Sequence, residues 1–375
     1  MGLTALQQHG EGLGSAFPAY KAGEYCGAMA AARFGDPQAE FAALRGACGV
    51  FDLGYRATIS LTGGDRLRWL NGMVTNNVRD LAPGQGAYAF LLNPQGHILG
   101  DLYAYNRGES ITVDTDRSQV EKILATFDHY IIMDDVEVAN VSEQLTSLGI
   151  GGLNVRQVMR KAGIEFPNLQ PLQLHEIQCD CEWGYVSCTV VHTDDPIESY
   201  ELWLGPDHVR PLWNALVAAG ASQIGFEALE LHRIVSGIPR YGVDIRERDL
   251  PQETEQARAL NFNKGCYIGQ EIVERIRSRG AVHRKFSGFL TEGSEPILPG
   301  TKIVVNEKEV GETTSAASLR FANGNANVAL GYIRRELWSP GREVTIGGVK
   351  AAVIALPVSD DILSQKESSL ARHSA

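Results

Sequence analysis

No stretch of this 375-residue chain approaches the ~18 uninterrupted apolar residues that a membrane helix needs, so no spanning helix is expected. The start supplies neither a basic segment followed by an apolar block nor an Arg-rich amphipathic presequence. Lys21 and Arg33 are its only cations before Arg45, which points to a cytoplasmic address. Cysteine is scarce: Cys26, Cys48, Cys179, Cys181, Cys188 and Cys266 are too few for a disulfide framework in a chain this long. Cys-x-x-Cys knuckles are missing, as are internal repeats and low-complexity tracts. Positive charge is also short, with 34 Lys and Arg against 45 Asp and Glu, a net charge of −11. That balance argues against bulk nucleic-acid affinity.

What is present reads as a soluble globular protein: 44% apolar and 21% charged residues. At roughly 100–200 residues per domain, the length suggests two or three domains. Residues 1–46 are an N-terminal lead-in, of which 1–36 are rich in Gly and Ala and expected to be loosely ordered with one short helix. Residues 47–135 alternate strands with helices: Ala57–Leu61, a helix after the capping Asp65, then strands at Ala87–Leu92, Ile98–Tyr105 and Ile111–Asp114, and a helix over Ser118–Phe127. A second α+β block, residues 136–285, holds a hairpin (Leu174–Trp183 and Tyr185–His192), a strand at Tyr200–Leu204, and helices over Val209–Ala219 and Phe226–Val235. Residues 286–357 lose helical periodicity and read as a small β-barrel or sandwich; residues 358–375 are a polar tail. Hairpins alternating with helices indicate α+β rather than a doubly wound sheet.

The densest chemistry lies in Asn263-Lys-Gly-Cys-Tyr-Ile-Gly-Gln-Glu271. Glycines on both sides of Cys266 allow close backbone approach, and Lys264 supplies a cation that favours thiolate. Gln270 and Glu271 could orient a bound group. Packing is the plainer explanation of a single small cysteine.

Lys264-Gly-Cys-Tyr-Ile-Gly-Gln-Glu271 resembles the signature of the YgfZ-type folate-binding proteins that support iron–sulfur enzymes. These are relatives of the aminomethyltransferase (T-protein) of the glycine cleavage system. Gly49-Val-Phe-Asp-Leu53, Trp69–Asn76, Tyr88–Gly96, Gly237–Gly242 and Gly331-Tyr-Ile333 extend the likeness over roughly residues 40–357. The resemblance implies a three-domain cloverleaf, two mixed α+β domains and a C-terminal β-barrel, with tetrahydrofolate as cofactor. It implies Cys266 as functional thiol and Glu201 and Arg233 as pterin contacts, a carboxylate and a donor fork suited to an aminopyrimidine edge. Lys264 and Gln270 join the cofactor-binding set.

Two departures stand out. The segment before Glu201 reads Asp194-Asp-Pro-Ile-Glu198 where the family has a Gly-rich turn. The paired aspartates of the aminomethyltransferases read Gly100-Asp101 here, so one carboxylate is missing. Asp101 remains as the catalytic candidate, and its lost neighbour casts doubt on classical aminomethyl transfer.

Over residues 264–285, six cations (Lys264, Arg275, Arg277, Arg279, Arg284, Lys285) face only Glu271 and Glu274. Period-two arginines suggest a strand edge, or an electropositive mouth for a folate tail. A nucleic-acid module is the third reading, opposed by the acidic whole. Cys179, Cys181 and Cys188, with His175 and His192, fit a hairpin of half-buried thiols better than a metal site. Gly10–Gly14 lacks the dinucleotide spacing. The leading expectation is a monomeric tetrahydrofolate-binding protein that assembles or repairs iron–sulfur clusters in client enzymes. The alternative is a folate-dependent aminomethyltransferase, one-carbon transferase or demethylase.

Overall fold

In this computed structural model the described residues are 2–8, 20–181, 184–280, 282–291, 296–321 and 324–358. The Gly10–Gly14 run and the tail beyond Val358 lie outside them. Two compact units form: residues 1–94, 99–229 and 258–270 in the first, and 95–98, 230–257 and 271–375 in the second.

The first unit holds two sheets. A five-stranded sheet runs Gly86–Leu92, Ile98–Asn106, Ile111–Asp116, Arg56–Thr62, Glu137–Asn140 in spatial order. Its side chains alternate strictly. Ile59, Leu61, Leu102, Ala104 and Val113 turn to one face and pack with Leu70 and Phe127 from the helices Arg66–Met73 and Val120–Tyr130. The same alternation leaves Arg56, Tyr88, Asp101, Tyr103, Tyr105, Asp114 and Asp116 on the opposite face.

The six-stranded sheet runs Leu174–Cys181, Gly184–His192, Ser199–Leu204, Thr146–Gly151, Gly49–Asp52, Ser222–Ile224. Val50, Leu148, Ile150, Tyr200, Leu202 and Leu204 form its core with Trp213 of the helix Pro206–Ala218. Glu201 and Trp203 alternate to the other face, where Trp203 meets Tyr105 edge-on with ring centroids 5.2 Å apart.

The described residues of the lead-in, 2–8 and 20–46, carry regular structure, contrary to the expected loose ordering. Lys21–Tyr25 and Ala28–Arg33 pair as a hairpin, Tyr25 stacks on Phe226 at 4.7 Å, and Leu6 is buried. Small Ala side chains give little periodic signal; their burial comes from docking onto the rest of the unit.

The second unit carries the expected barrel, closed in the order Arg284–Thr291, Gly324–Arg334, Lys308–Phe321, Lys302–Val305, Glu343–Ile346, Val349–Ile354. Phe289, Ile303, Ala329, Ile333, Val344 and Val353 fill it. Arg275, Arg277 and Arg279 correct the strand reading: Gln270–Arg279 is a helix. Glu271 pairs with Arg275 one turn on, and Glu274 with Arg277. Asp65 precedes its helix as expected, but its carboxylate accepts from Asp135 N instead of capping the helix. Among the described residues no helix is long and apolar enough to cross a membrane.

Candidate functional site in the first unit

The polar face of the five-stranded sheet is an unusual place for charge, since each carboxylate there must find partners to offset its lost hydration. Asp101 is half-buried on that face. Its Oδ2 accepts from the Tyr88 hydroxyl and its Oδ1 from Gln119 Nε2, both at 2.8 Å. Gln119 Oε1 in turn accepts from Asp101 N at 3.0 Å, so one amide grips both backbone and side chain. Burial pushes the Asp101 carboxyl up from its ordinary range and nearby Asp116 adds to this, while the bonds from Gln119 and Tyr88 and the charge of Arg56 oppose it.

Gly100 explains the missing neighbour. A Cβ at that position would stand 3.0 Å from Gln119 Oε1 and 3.6 Å from Ile123 Cγ1, on the helix-covered side. Strand alternation therefore sends residues 100 and 101 to opposite faces, and a carboxylate at 100 would not share the surface that presents Asp101.

Farther along the face, Arg56 binds Asp114 through Nε and Nη2 and Asp116 through Nη1 at 2.6 Å. Both aspartates are buried. Burial pushes the Asp114 carboxyl up to about 7; Arg56 opposes this and the charge of Glu201 contributes to it. Glu201 is thus an electrostatic neighbour of the Arg56–Asp114 pair. Trp203 Nε1 donates to Glu201 Oε2 at 2.8 Å, which orients the carboxylate. The aromatic floor is continuous: Tyr88 and Tyr103 rings lie 4.9 Å apart and Tyr103 and Tyr105 6.4 Å.

Sequence reasoning named Asp101, and Glu201 on the other sheet. It missed Tyr88, Arg56, Asp114 and Asp116 on this face as well as Arg258, which lies over the Tyr88 ring and pairs with Asp194. The period-two acids in Ile111-Thr-Val-Asp-Thr-Asp116 were the available signal, because alternate aspartates on one strand must share a face.

The signature segment has a different geometry. Lys264 Nζ donates to the carbonyls of Asn71, Val74 and Asn76, at 2.5, 2.5 and 2.8 Å. Asn71 and Val74 end the helix Arg66–Met73, where carbonyls lack intrahelical partners and a cation is favoured. Burial, with Arg79 behind it, pushes the Lys264 ammonium down to about 7, against those three acceptors. Lys264 therefore has a structural task at a helix end that its spacing to Cys266 does not suggest. Cys266 is exposed, whereas Cys48 and Cys188 are buried, and burial pushes the Cys48 thiol up to about 12. Gln270 Oε1 accepts from Tyr267 N at 3.3 Å and closes the turn into the helix Gln270–Arg279.

Arg233 belongs to the second unit. Its guanidinium donates to Glu230 Oε1 and Oε2 and to Asp244 Oδ2, each at 2.7 Å, to Ser315 Oγ at 2.8 Å and to Ile238 O at 3.3 Å. A guanidinium has five N–H donors, and these five bonds occupy them. Offering a donor fork to a pterin would require breaking this network. In the thiol hairpin, His192 Nδ1 is bonded to Leu169 O and its ring stacks on Tyr200. The side chains of Cys179 and Cys181 lie outside the described residues.

Residues 6–264 match the GCVT N-terminal domain and residues 284–360 the Glycine cleavage T-protein C-terminal barrel domain. An aminomethyltransferase of Rubrobacter xylanophilus is 29% identical over 325 residues, covering 85% of each chain. A putative chloroplastic transferase of Arabidopsis thaliana is 28% identical over 305 residues, 80% of this chain and 68% of that one. The crystal structure of the glycine cleavage system aminomethyltransferase T from Bartonella henselae superimposes with a TM-score of 0.85 at 20% identity, covering 96% of this chain and 98% of that one. At that identity the likeness speaks for the fold.

Proposed function

The chain belongs to the glycine cleavage T-protein family, and from that premise we propose that it is a tetrahydrofolate-dependent aminomethyl or one-carbon transferase with Asp101 as its proton-handling group. The observation that carries this reading is the Asp101 carboxyl, presented on a polar, aromatic sheet face and held by Tyr88 and Gln119.

The donor set suits a folate. A pterin is a ring with an aminopyrimidine edge that donates hydrogen bonds; Glu201 is an acceptor for that edge, and Tyr88 and Tyr103 offer ring faces. Trp203 engages Oε2 of Glu201, so Oε1 is the oxygen to meet such an edge. Tetrahydrofolate, when bound, would supply the two nitrogens that take up the carbon of an aminomethyl group as a methylene bridge, without change of oxidation level, while the amino nitrogen leaves as ammonia. Asp101 accepts or returns the proton that a nitrogen must lose or gain in that exchange. A carboxyl raised by burial is better matched to that task near neutral pH than an ordinary one.

Calorimetric titration with tetrahydrofolate and an assay for methylene-tetrahydrofolate from an amine donor test the reading. Saturable binding is expected, and Asp101→Asn should bind but lose roughly 10²–10⁴-fold in turnover. Absent binding up to millimolar ligand, or unchanged turnover in Asp101→Asn, would sink it.

A second reading, folate-linked support of iron–sulfur enzymes, is favoured by the exposure of Cys266 in its Gly-flanked segment. It predicts that Cys266→Ser cells lose cluster-enzyme activity while the purified variant still binds tetrahydrofolate. Full complementation by Cys266→Ser would remove the thiol's role.

A further inference from the structure

Asp101 is the end of a chain of contacts that begins far away in sequence. Asn76 Nδ2 donates to the carbonyls of both Tyr88 and Arg258, each at 2.8 Å, and fixes the two backbones side by side. The Arg258 guanidinium lies 4.4 Å from the centroid of the Tyr88 ring. Asp194 anchors that guanidinium through an ion pair and accepts from the Tyr103 hydroxyl at 3.2 Å. Tyr88 then donates its hydroxyl to Asp101. The acidic segment Asp194–Glu198, which replaces the expected Gly-rich turn, thus supplies the anchor of this arrangement.

We propose that Arg258 is a positioning residue for Asp101 that works through the Tyr88 ring. A cation over an aromatic face draws electron density from it, and a phenol so polarised is a stronger hydrogen-bond donor. A stronger donated bond favours the carboxylate form of Asp101. The phenol itself stays protonated, because burial and the charge of Asp101 push it well above its ordinary range. The proposal rests on the reading of Asp101 as the proton-handling group.

Other groups also face Asp101. Asp116, from the strand Ile111–Asp116, opposes its charge; Arg56, from Arg56–Thr62, favours it; and Gln119 donates to it. Tyr103, on the same strand as Asp101, lies with its ring 4.9 Å from that of Tyr88. A test must therefore separate an effect relayed by Tyr88 from a direct field.

Carbon-13 NMR titration of the aspartate carboxyls in the ligand-free protein does this, with Asp101 assigned by Asp101→Asn. Arg258→Gln should move the Asp101 midpoint upward by about half a pH unit or more. Arg258→Met, which keeps the stem and drops the charge, should do the same, and Arg258→Lys should retain part of the effect. In a Tyr88→Phe background, Arg258→Gln should add little. An unmoved midpoint in both neutral variants overturns the proposal, and so does an equal shift in the Tyr88→Phe background, which would mean a direct field. Calorimetry with tetrahydrofolate on the wild type runs in parallel. Absent binding with a moved midpoint sinks the folate reading and leaves the relay standing; retained binding with an unmoved midpoint sinks the relay alone.

Discussion

Asp114 shows what a carboxylate costs inside a sheet. It is buried, it is bonded by Arg56, and burial still pushes its carboxyl from 3.8 up to about 7. The sign of the pH effect follows. Between those values the folded chain keeps a proton at Asp114 that the unfolded chain has released. Its contribution to stability is therefore fully present below about 4 and lost as pH rises through about 7. Urea midpoints of wild type and Asp114→Asn, compared from acidic to alkaline pH, should diverge, the wild type losing ground as pH rises; parallel curves would contradict this. Sequence reading ended that strand at Asp114, so the pairing of Asp114 and Asp116 with one arginine escaped it. Asp101 and Glu201 were nominated by resemblance, although Gly100 and the segment Asp194–Glu198 both depart from the family's pattern. Arg233 was nominated in the same way, but whether its donors were already engaged was not legible.

At the scale of elements, alternation did most of the work. The polar face exists because Arg56, Asp101, Tyr103 and Asp114 fall at positions opposite in phase to Ile59, Leu102, Ala104 and Val113. Period-two reading failed at Arg275, Arg277 and Arg279, where Val273 is buried and Glu271–Arg275 spans one helical turn. Two charges at i and i+2 are compatible with either element, and the position of the buried apolar residue, Val273, decides. Glycine has a comparable element-level role at Gly149, where a Cβ would fall 1.9 Å from Cε2 of Phe51 on the neighbouring strand. Gly149→Ala should cost about 1–3 kcal/mol in urea unfolding as the ring or strand shifts. A stability equal to wild type would show that Phe51 repacks without strain.

For the whole molecule, the chain's own patterns determined the α+β class, the hairpins and an all-β C-terminal part, since these rest on periodicities of two and 3.6 that are local in sequence. Closure of that part into a barrel joins Arg284–Thr291 to Val349–Ile354 and is a tertiary pairing. The chain's motifs pointed to YgfZ-type folate-binding proteins, relatives of the T-protein family; the matching domains establish the T-protein family alone. Tertiary structure alone decided which charged groups meet. Asn76 reaches Arg258 across 182 positions, and Arg56 reaches Asp114 across 58. Such meetings depend on sheet register and loop packing, which no local pattern encodes. The same holds for Lys264, whose ammonium caps a helix 190 positions earlier, and for Arg233, whose donors close on Glu230, Asp244 and Ser315. Spacing can nominate a residue for chemistry. Its partners are chosen by the packing that buries it, because a buried charge must be offset wherever the fold puts it.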